Sequence, residues 1–162
     1  DARIIRMMPN LPCRVKKGVY GLYSGARVLK EDKSRLESLL SSSGLCLWLD
    51  KEDLLHSVTA LSGSGPGYIF YMMQAYFTAA QALGLSDEVA KILVVRTFLG
   101  ASYMAEAAID IGFEQMQQQV TSPNGTTAAA IEVFKKYQMD QTIEKAIKAC
   151  AARSEEIAKT VQ

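Results

Sequence analysis

The sequence predicts a mainly α-helical chain: a short α/β segment to about residue 50, then an all-helical domain over residues 51–162. Two observations predict this. Strand-like and helix-like stretches alternate only before residue 50, and after Lys51 every apolar pattern has the helical period. A third concerns packing: the stretch YIFYMMQAYFTAAQALG, residues 68–84, has only Gln74, Thr78 and Gln81 as polar members and is apolar on all sides. A helix of that kind lies at the centre of a bundle or crosses a membrane.

Arg3–Met8 and Val19–Tyr23 are apolar or aromatic runs separated by turn-formers, which is the pattern of short strands. EDKSRLESLLSSS, residues 31–43, places Leu36, Leu39 and Leu40 at helical spacing and meets Gly44, a residue suited to a C-terminal cap. LCLWL then reads as a third strand. Strand, strand, helix, strand is too little to complete an α/β layer, so residues 1–50 read as the tail of a larger sheet. KEDLLHSVTALSG puts Leu54, Leu55, Val58 and Leu61 on one helical face, and Pro66 stands where a helix start favours proline. The apolar helix that follows lies at the short limit for a membrane span, has no Lys/Arg anchors, and runs at once into a helix capped by Ser86-Asp87-Glu88. Burial in a bundle is therefore expected, with part of its surface covered by a second copy of the chain. Helical period resumes over Thr127–Tyr137 and from Gln141 to about Lys159, where Ile143, Ile147, Cys150 and Ile157 form a stripe.

Composition removes several functions. Eighteen Lys and Arg against seventeen Asp and Glu, with no basic block, argue against nucleic acid or an anionic membrane as partner. Cys13, Cys46 and Cys150 are far apart and lack zinc or redox-pair spacing, which suits a reducing, intracellular compartment. The opening residues DARIIRMMPN lack the features of a secretory signal and an initiator methionine, and suggest a piece of a longer chain. His56 is the sole histidine and has no companion ligands at metal spacing, so no metal site is expected and the residue reads as a surface or interface group. Gly63-Ser64-Gly65 does not match the G-x-S-x-G of a hydrolase elbow, and helix rather than strand precedes GSGPG, against a dinucleotide fingerprint. The Tyr and Met stripe from Tyr68 to Phe77 reads as core.

VTSPNGTT, residues 120–127, is different. Hydroxyls, a proline and a glycine gather where a helix begins, and unpaired amides at a helix N-terminus favour a carboxylate or phosphate. On the residues alone, an ordinary capping loop and an anion site both remain open.

QVTSPNGTT, residues 119–127, resembles the signature loop of the pyrroline-5-carboxylate reductase family, whose usual form is Q-V-[TS]-S-P-G-G-T-T. RMMPNLP at 6–12, EDLLHSVTALSGSGPGY at 52–68 and LGASYMAEA at 99–107 agree in order and approximate spacing, and the final helix, ending AARSEEIAK, resembles the family's closing segment, so the resemblance runs along nearly the whole chain. It implies the last strands of a Rossmann-type dinucleotide-binding domain over residues 1–50 and a helical dimerisation and substrate-binding domain over 51–162. It further implies reduction of 1-pyrroline-5-carboxylate to L-proline with NADPH or NADH, in proline biosynthesis, by a homodimer or higher homo-oligomer. The expected setting is cytoplasmic, with a mitochondrial one left open. The glycine-rich turn that grips a pyrophosphate is not in these 162 residues, so the isolated chain is expected to be inactive; the alternative reading of that chain is a non-catalytic helical oligomerisation module.

Carried over position by position, the resemblance makes Thr127 the catalytic residue. It puts Ser122, Gly125, Thr126, Thr127 and Asp110 at the substrate, Asp110 one residue out of the family's spacing, and Asn10, Glu52 and Gln119 at the cofactor. Asn124 departs from the family's glycine, and asparagine tolerates left-handed backbone better than most residues. The chemistry suits these types: hydride goes to the imine carbon and a proton to nitrogen, while the carboxylate is held so that the carbon faces the nicotinamide. A threonine hydroxyl is too weak an acid to supply that proton freely, so Thr127 reads as an orienter or relay.

Overall fold

The computed structural model describes residues 2–160. The chain forms two compact units, one holding the residues up to Tyr68 and those from Glu144 onward, the other Ile69–Ile143.

The first unit is built on a three-stranded sheet of β1 (Ile5–Met8), β2 (Gly18–Ser24) and β3 (Gly44–Trp48). β2 is central: it pairs antiparallel with β1, Met8 opposite Gly21, and parallel with β3, Gly18 opposite Gly44. Its inward residues carry the core, with Leu22 wholly buried and Tyr20 nearly so. The Tyr20 hydroxyl bonds with Ser43 Oγ at 2.7 Å, whose own hydroxyl donates to the Leu40 carbonyl at 2.9 Å, tying the end of the first helix to the sheet. That helix, α1 (Lys30–Leu40), starts where Asp32 Oδ2 accepts from the Leu29 N–H at 3.0 Å and from Arg3 Nη1 at 2.7 Å. Each carboxylate bond satisfies a donor that the first turn leaves unpaired or a cation near it.

Gly44 is not the cap of α1 expected from the sequence. The helix ends at Leu40 and Gly44 opens β3, where a Cβ would stand 2.2 Å from the Gly18 carbonyl oxygen. Close backbone approach between β2 and β3, not a left-handed turn, is the reason for glycine there. The apolar face expected through Leu61 is also interrupted. α2 (Leu54–Val58) passes into a π-helical turn, Thr59–Gly63, closed by the Ser64 N–H to the Thr59 carbonyl at 2.8 Å. The extra residue of a π turn rotates the stripe, so Leu55 and Ala60 are buried while Leu61 is 67% exposed.

α3 (Gly65–Ala82) begins with Pro66 in its first turn, as expected, and α4 (Asp87–Ala107) begins at the Ser86 cap, whose Oγ accepts from the Val89 N–H at 3.4 Å. Gln81 Nε2 donates to Asp87 Oδ1 at 2.7 Å, and Tyr76 meets Phe98 edge to face at 5.2 Å. The core of the second unit is thin. No residue of α3 is buried and only Ala90 and Val94 of α4 are, while Tyr71 is 79%, Phe70 60% and Ile92 57% exposed. Leaving one such side chain in water forgoes about 1.5–3 kcal/mol, so these faces call for cover from outside the chain. Among the described residues no helix is long and apolar enough to cross a membrane. A 3₁₀ turn, Ile109–Ile111, leads to α5 (Phe113–Gln119), then α6 (Thr126–Lys136) and α7 (Met139–Thr160).

Candidate functional site

The loop between α5 and α6 is a tight turn followed by an open helix end. The Gly125 N–H donates to the Ser122 carbonyl at 3.0 Å, closing a four-residue turn with Pro123 second and Asn124 third. Asn124 has φ 59°, in the left-handed region. A turn with proline second and positive φ third takes glycine or asparagine at that third place, which accounts for asparagine where glycine was expected. Gly125 is the N-cap of α6 at φ −79°, ψ 172°, and a Cβ on it would lie 2.3 Å from Ser122 Oγ. Here glycine is favoured by close approach rather than by backbone angle.

No side chain caps α6, and its first intrahelical bond runs from the Ala129 N–H to the Gly125 carbonyl at 3.2 Å. The N–H groups of Thr126, Thr127 and Ala128 are thus the helix's unpaired donors, at the positive end of its dipole. Thr127 is half-buried, while Ser122 and Thr126 are exposed. An arrangement of parallel backbone donors with two threonine hydroxyls can hold a small carboxylate.

The loop is anchored from behind by residues that the sequence reading passed over. Thr121 Oγ1 donates to the Gln117 carbonyl at 2.6 Å and accepts from Gln117 Nε2 at 2.7 Å. The signal was available, since a glutamine four residues before a threonine at a helix end can form this ring, but α5 itself lacks a clear apolar period. Gln119, expected at the cofactor, is the exposed last residue of α5, and Asp110, expected at the substrate, is exposed in the 3₁₀ turn before it.

Asn10 and Glu52 belong to the first unit, and both have partners. Asn10 Oδ1 accepts from the Val19 N–H at 2.9 Å, and Asn10 Nδ2 donates to Ser62 Oγ at 3.0 Å and to the Ser62 carbonyl at 3.3 Å. Glu52 Oε1 takes a 2.5 Å ion pair from Arg6. In the same unit a cleft of about 820 Å³ is lined by Arg6, Met8, His56, Ser64, Cys150 and Arg153 among others. His56 Nδ1 bonds with Ser154 Oγ at 2.9 Å, joining α2 to α7, and the Cys150 thiol donates to Ser64 Oγ at 3.3 Å. Burial, with the Glu37 carboxylate adding to it, pushes the Cys46 thiol above its ordinary pKa. All three cysteines are free and half-buried. Among the described residues no three His, Cys, Asp or Glu side chains gather where they could share a metal ion.

Residues 52–157 match the family model for pyrroline-5-carboxylate reductase dimerisation. Pyrroline-5-carboxylate reductase of Pseudomonas aeruginosa is 43% identical over 155 residues, and that of Haemophilus influenzae 37% over 154. These alignments cover 96% and 95% of this chain but 56% and 57% of the relatives, so the chain spans a little over half the length of the curated relatives it matches. Among solved structures, a pyrroline-5-carboxylate reductase from Coxiella burnetii superposes with TM-score 0.91 at 41% identity, covering 96% of this chain and 57% of that one. The Plasmodium falciparum pyrroline carboxylate reductase, solved with NADP bound, gives TM-score 0.89 at 29% identity, covering 96% and 62%.

Proposed function

The chain belongs to the pyrroline-5-carboxylate reductase family, and on that premise we propose that it holds the substrate and joins the subunits of an enzyme reducing 1-pyrroline-5-carboxylate to L-proline. In this reading residues 1–50 end a dinucleotide-binding domain, and residues 51–162 form the dimerisation and substrate-binding domain. The exposed apolar faces of α3 and α4 support pairing with a second copy. Three free thiols suit a reducing compartment such as the cytoplasm.

The observation that carries the proposal is the open N-terminus of α6. The substrate's carboxylate sits on the N–H groups of Thr126, Thr127 and Ala128, where charge-assisted bonds and the helix dipole both favour an anion. Ser122 and Gly125 shape the turn beside it. Thr127 Oγ1 lies at the imine nitrogen and orients it; when the imine arrives protonated, the hydroxyl accepts its N–H, and otherwise it relays a proton from water. NADPH or NADH, when bound, supplies the hydride that adds to the imine carbon while nitrogen keeps or gains the proton. The residues read as cofactor contacts fit that group as walls rather than as free hydrogen-bonding side chains. The Asn10 amide is spent on Val19 and Ser62, and Glu52 on Arg6. Gln119 and Asp110, both exposed, are read as contacts to cofactor and substrate respectively.

The test is the full-length protein assayed by loss of nicotinamide absorbance with 1-pyrroline-5-carboxylate. Thr127→Ala removes one hydroxyl and leaves the backbone donors, so kcat/KM for the imine falls by about 1–3 kcal/mol, or about five- to 150-fold, with KM for NADPH unmoved. An unchanged kcat/KM for the imine with weaker NADPH binding would show that the loop serves the cofactor or merely caps α6.

A further inference from the structure

We infer that Thr121 and Gln117, which lie outside the clamp, are positioning residues that hold it in its binding shape; the inference rests on the reading of Ser122–Thr127 as the substrate clamp. Thr121 is the last residue before the turn that Ser122 opens. Its hydroxyl has one proton, given to the Gln117 carbonyl at 2.6 Å, and it receives Gln117 Nε2 at 2.7 Å. The two bonds close a ring across the end of α5. The first gives a second donor to a carbonyl that the helix end leaves with only the long Val120 N–H bond, and together they fix the χ1 of Thr121 and the whole Gln117 side chain.

Both residues are half-buried, so the ring is partly sheltered from competing water. It is reinforced by the Thr121 N–H to the Gln118 carbonyl at 3.0 Å and the Val120 N–H to the Gln117 carbonyl at 3.3 Å. Downstream, the turn has one backbone bond of its own, Gly125 to Ser122, and an exposed Ser122, Pro123 and Asn124. The direction in which the chain leaves α5 is therefore set at Thr121, and it decides where Ser122 and the α6 donors stand. A site whose supporting residues are locked in advance spends less binding free energy on ordering itself. Without the ring, that ordering falls on substrate binding, and its signature is a higher KM for the imine acid rather than a slower chemical step.

In the full-length protein, Thr121→Val keeps the β-branched shape and deletes both bonds. KM for the imine acid should rise about five- to thirtyfold, the size of one or two lost hydrogen bonds, with kcat and the KM for NADPH within about twofold of wild type. Thr121→Ser, which keeps the hydroxyl, should restore KM. Gln117→Leu removes only the Nε2 bond, because the Thr121 hydroxyl still reaches the Gln117 backbone carbonyl, so it should raise KM by a smaller factor without loss of helix propensity, and the double variant should match Thr121→Val, which already removes both bonds. Should Thr121→Val fail to fold, Gln117→Leu carries the test alone. The inference is overturned by wild-type KM in Thr121→Val or Gln117→Leu, by additive losses in the double variant, or by an equal rise in KM for NADPH. Thr127→Ala in the same assay separates the two ideas. If it loses imine turnover while Thr121→Val does not, the ring is refuted and the clamp stands; if it loses nothing, the clamp falls and this inference with it.

Discussion

Replacing Gly125 by alanine puts a methyl group into the tightest place in the loop. The new Cβ would stand 2.3 Å from Ser122 Oγ, 3.0 Å from the Ser122 carbonyl oxygen and 3.6 Å from Ser122 Cβ. Because φ −79° and ψ 172° suit any residue, no backbone strain enters. The hydroxyl contact can be relieved by rotating Ser122 about χ1. The carbonyl contact cannot, since that oxygen is backbone and already accepts the Gly125 N–H at 3.0 Å. Relief by a few tenths of an ångström stretches the bond that closes the turn and shifts the α6 donors. Overpacking of this kind costs about 1–2 kcal/mol, read as a five- to thirtyfold fall in kcat/KM for the imine acid. The same native-state strain should lower the melting temperature by about 2–4 °C per kcal/mol. Adding Ser122→Ala removes the 2.3 Å contact and leaves the 3.0 Å one, so the double variant should recover only part of the loss relative to Ser122→Ala alone. Steady-state kinetics on the four proteins decides it, and wild-type kcat/KM in Gly125→Ala would refute the claim that this approach shapes the site.

Other expectations follow from single positions. Asn124→Gly should raise stability by up to about 1 kcal/mol and leave KM unchanged, whereas Asn124→Val, forced to φ 59°, should destabilise by about 1–2 kcal/mol; thermal melts compare them. Gly44→Ala meets backbone at 2.2 Å and should cost roughly 3 kcal/mol or more, seen as a lower denaturation midpoint or insoluble protein. Ile92→Glu, on the exposed face of α4, should convert a dimer to a monomer in light scattering at micromolar concentration, and an unchanged dimer mass would move the interface elsewhere.

Much of this was legible in the residues. The Ser86 cap, Pro66 in the first turn of α3 and the alternation of strands and helix before residue 50 are local signals, and the structure follows them. Gly44 and Leu61 were misread because their reasons are not local: one answers to Gly18 across the sheet, the other to a π turn that no periodicity announces. α5 went unread because FEQMQQQ has only Phe113 and Met116 to mark a face. The loop's small residues showed in the sequence as either an anion site or an ordinary helix cap. Its anchorage did not, because a glutamine and a threonine four apart become a ring only once the helix ends between them.

The central claim, that the substrate's carboxylate is held by the N-terminus of α6, is tested most directly by a crystal structure of the full-length protein with L-proline. Carboxylate oxygens are expected within hydrogen-bond distance, about 3 Å, of the N–H groups of Thr126, Thr127 and Ala128, with the ring nitrogen beside Thr127 Oγ1. Proline bound with its carboxylate on side chains elsewhere, and these three amides facing only water, would contradict it.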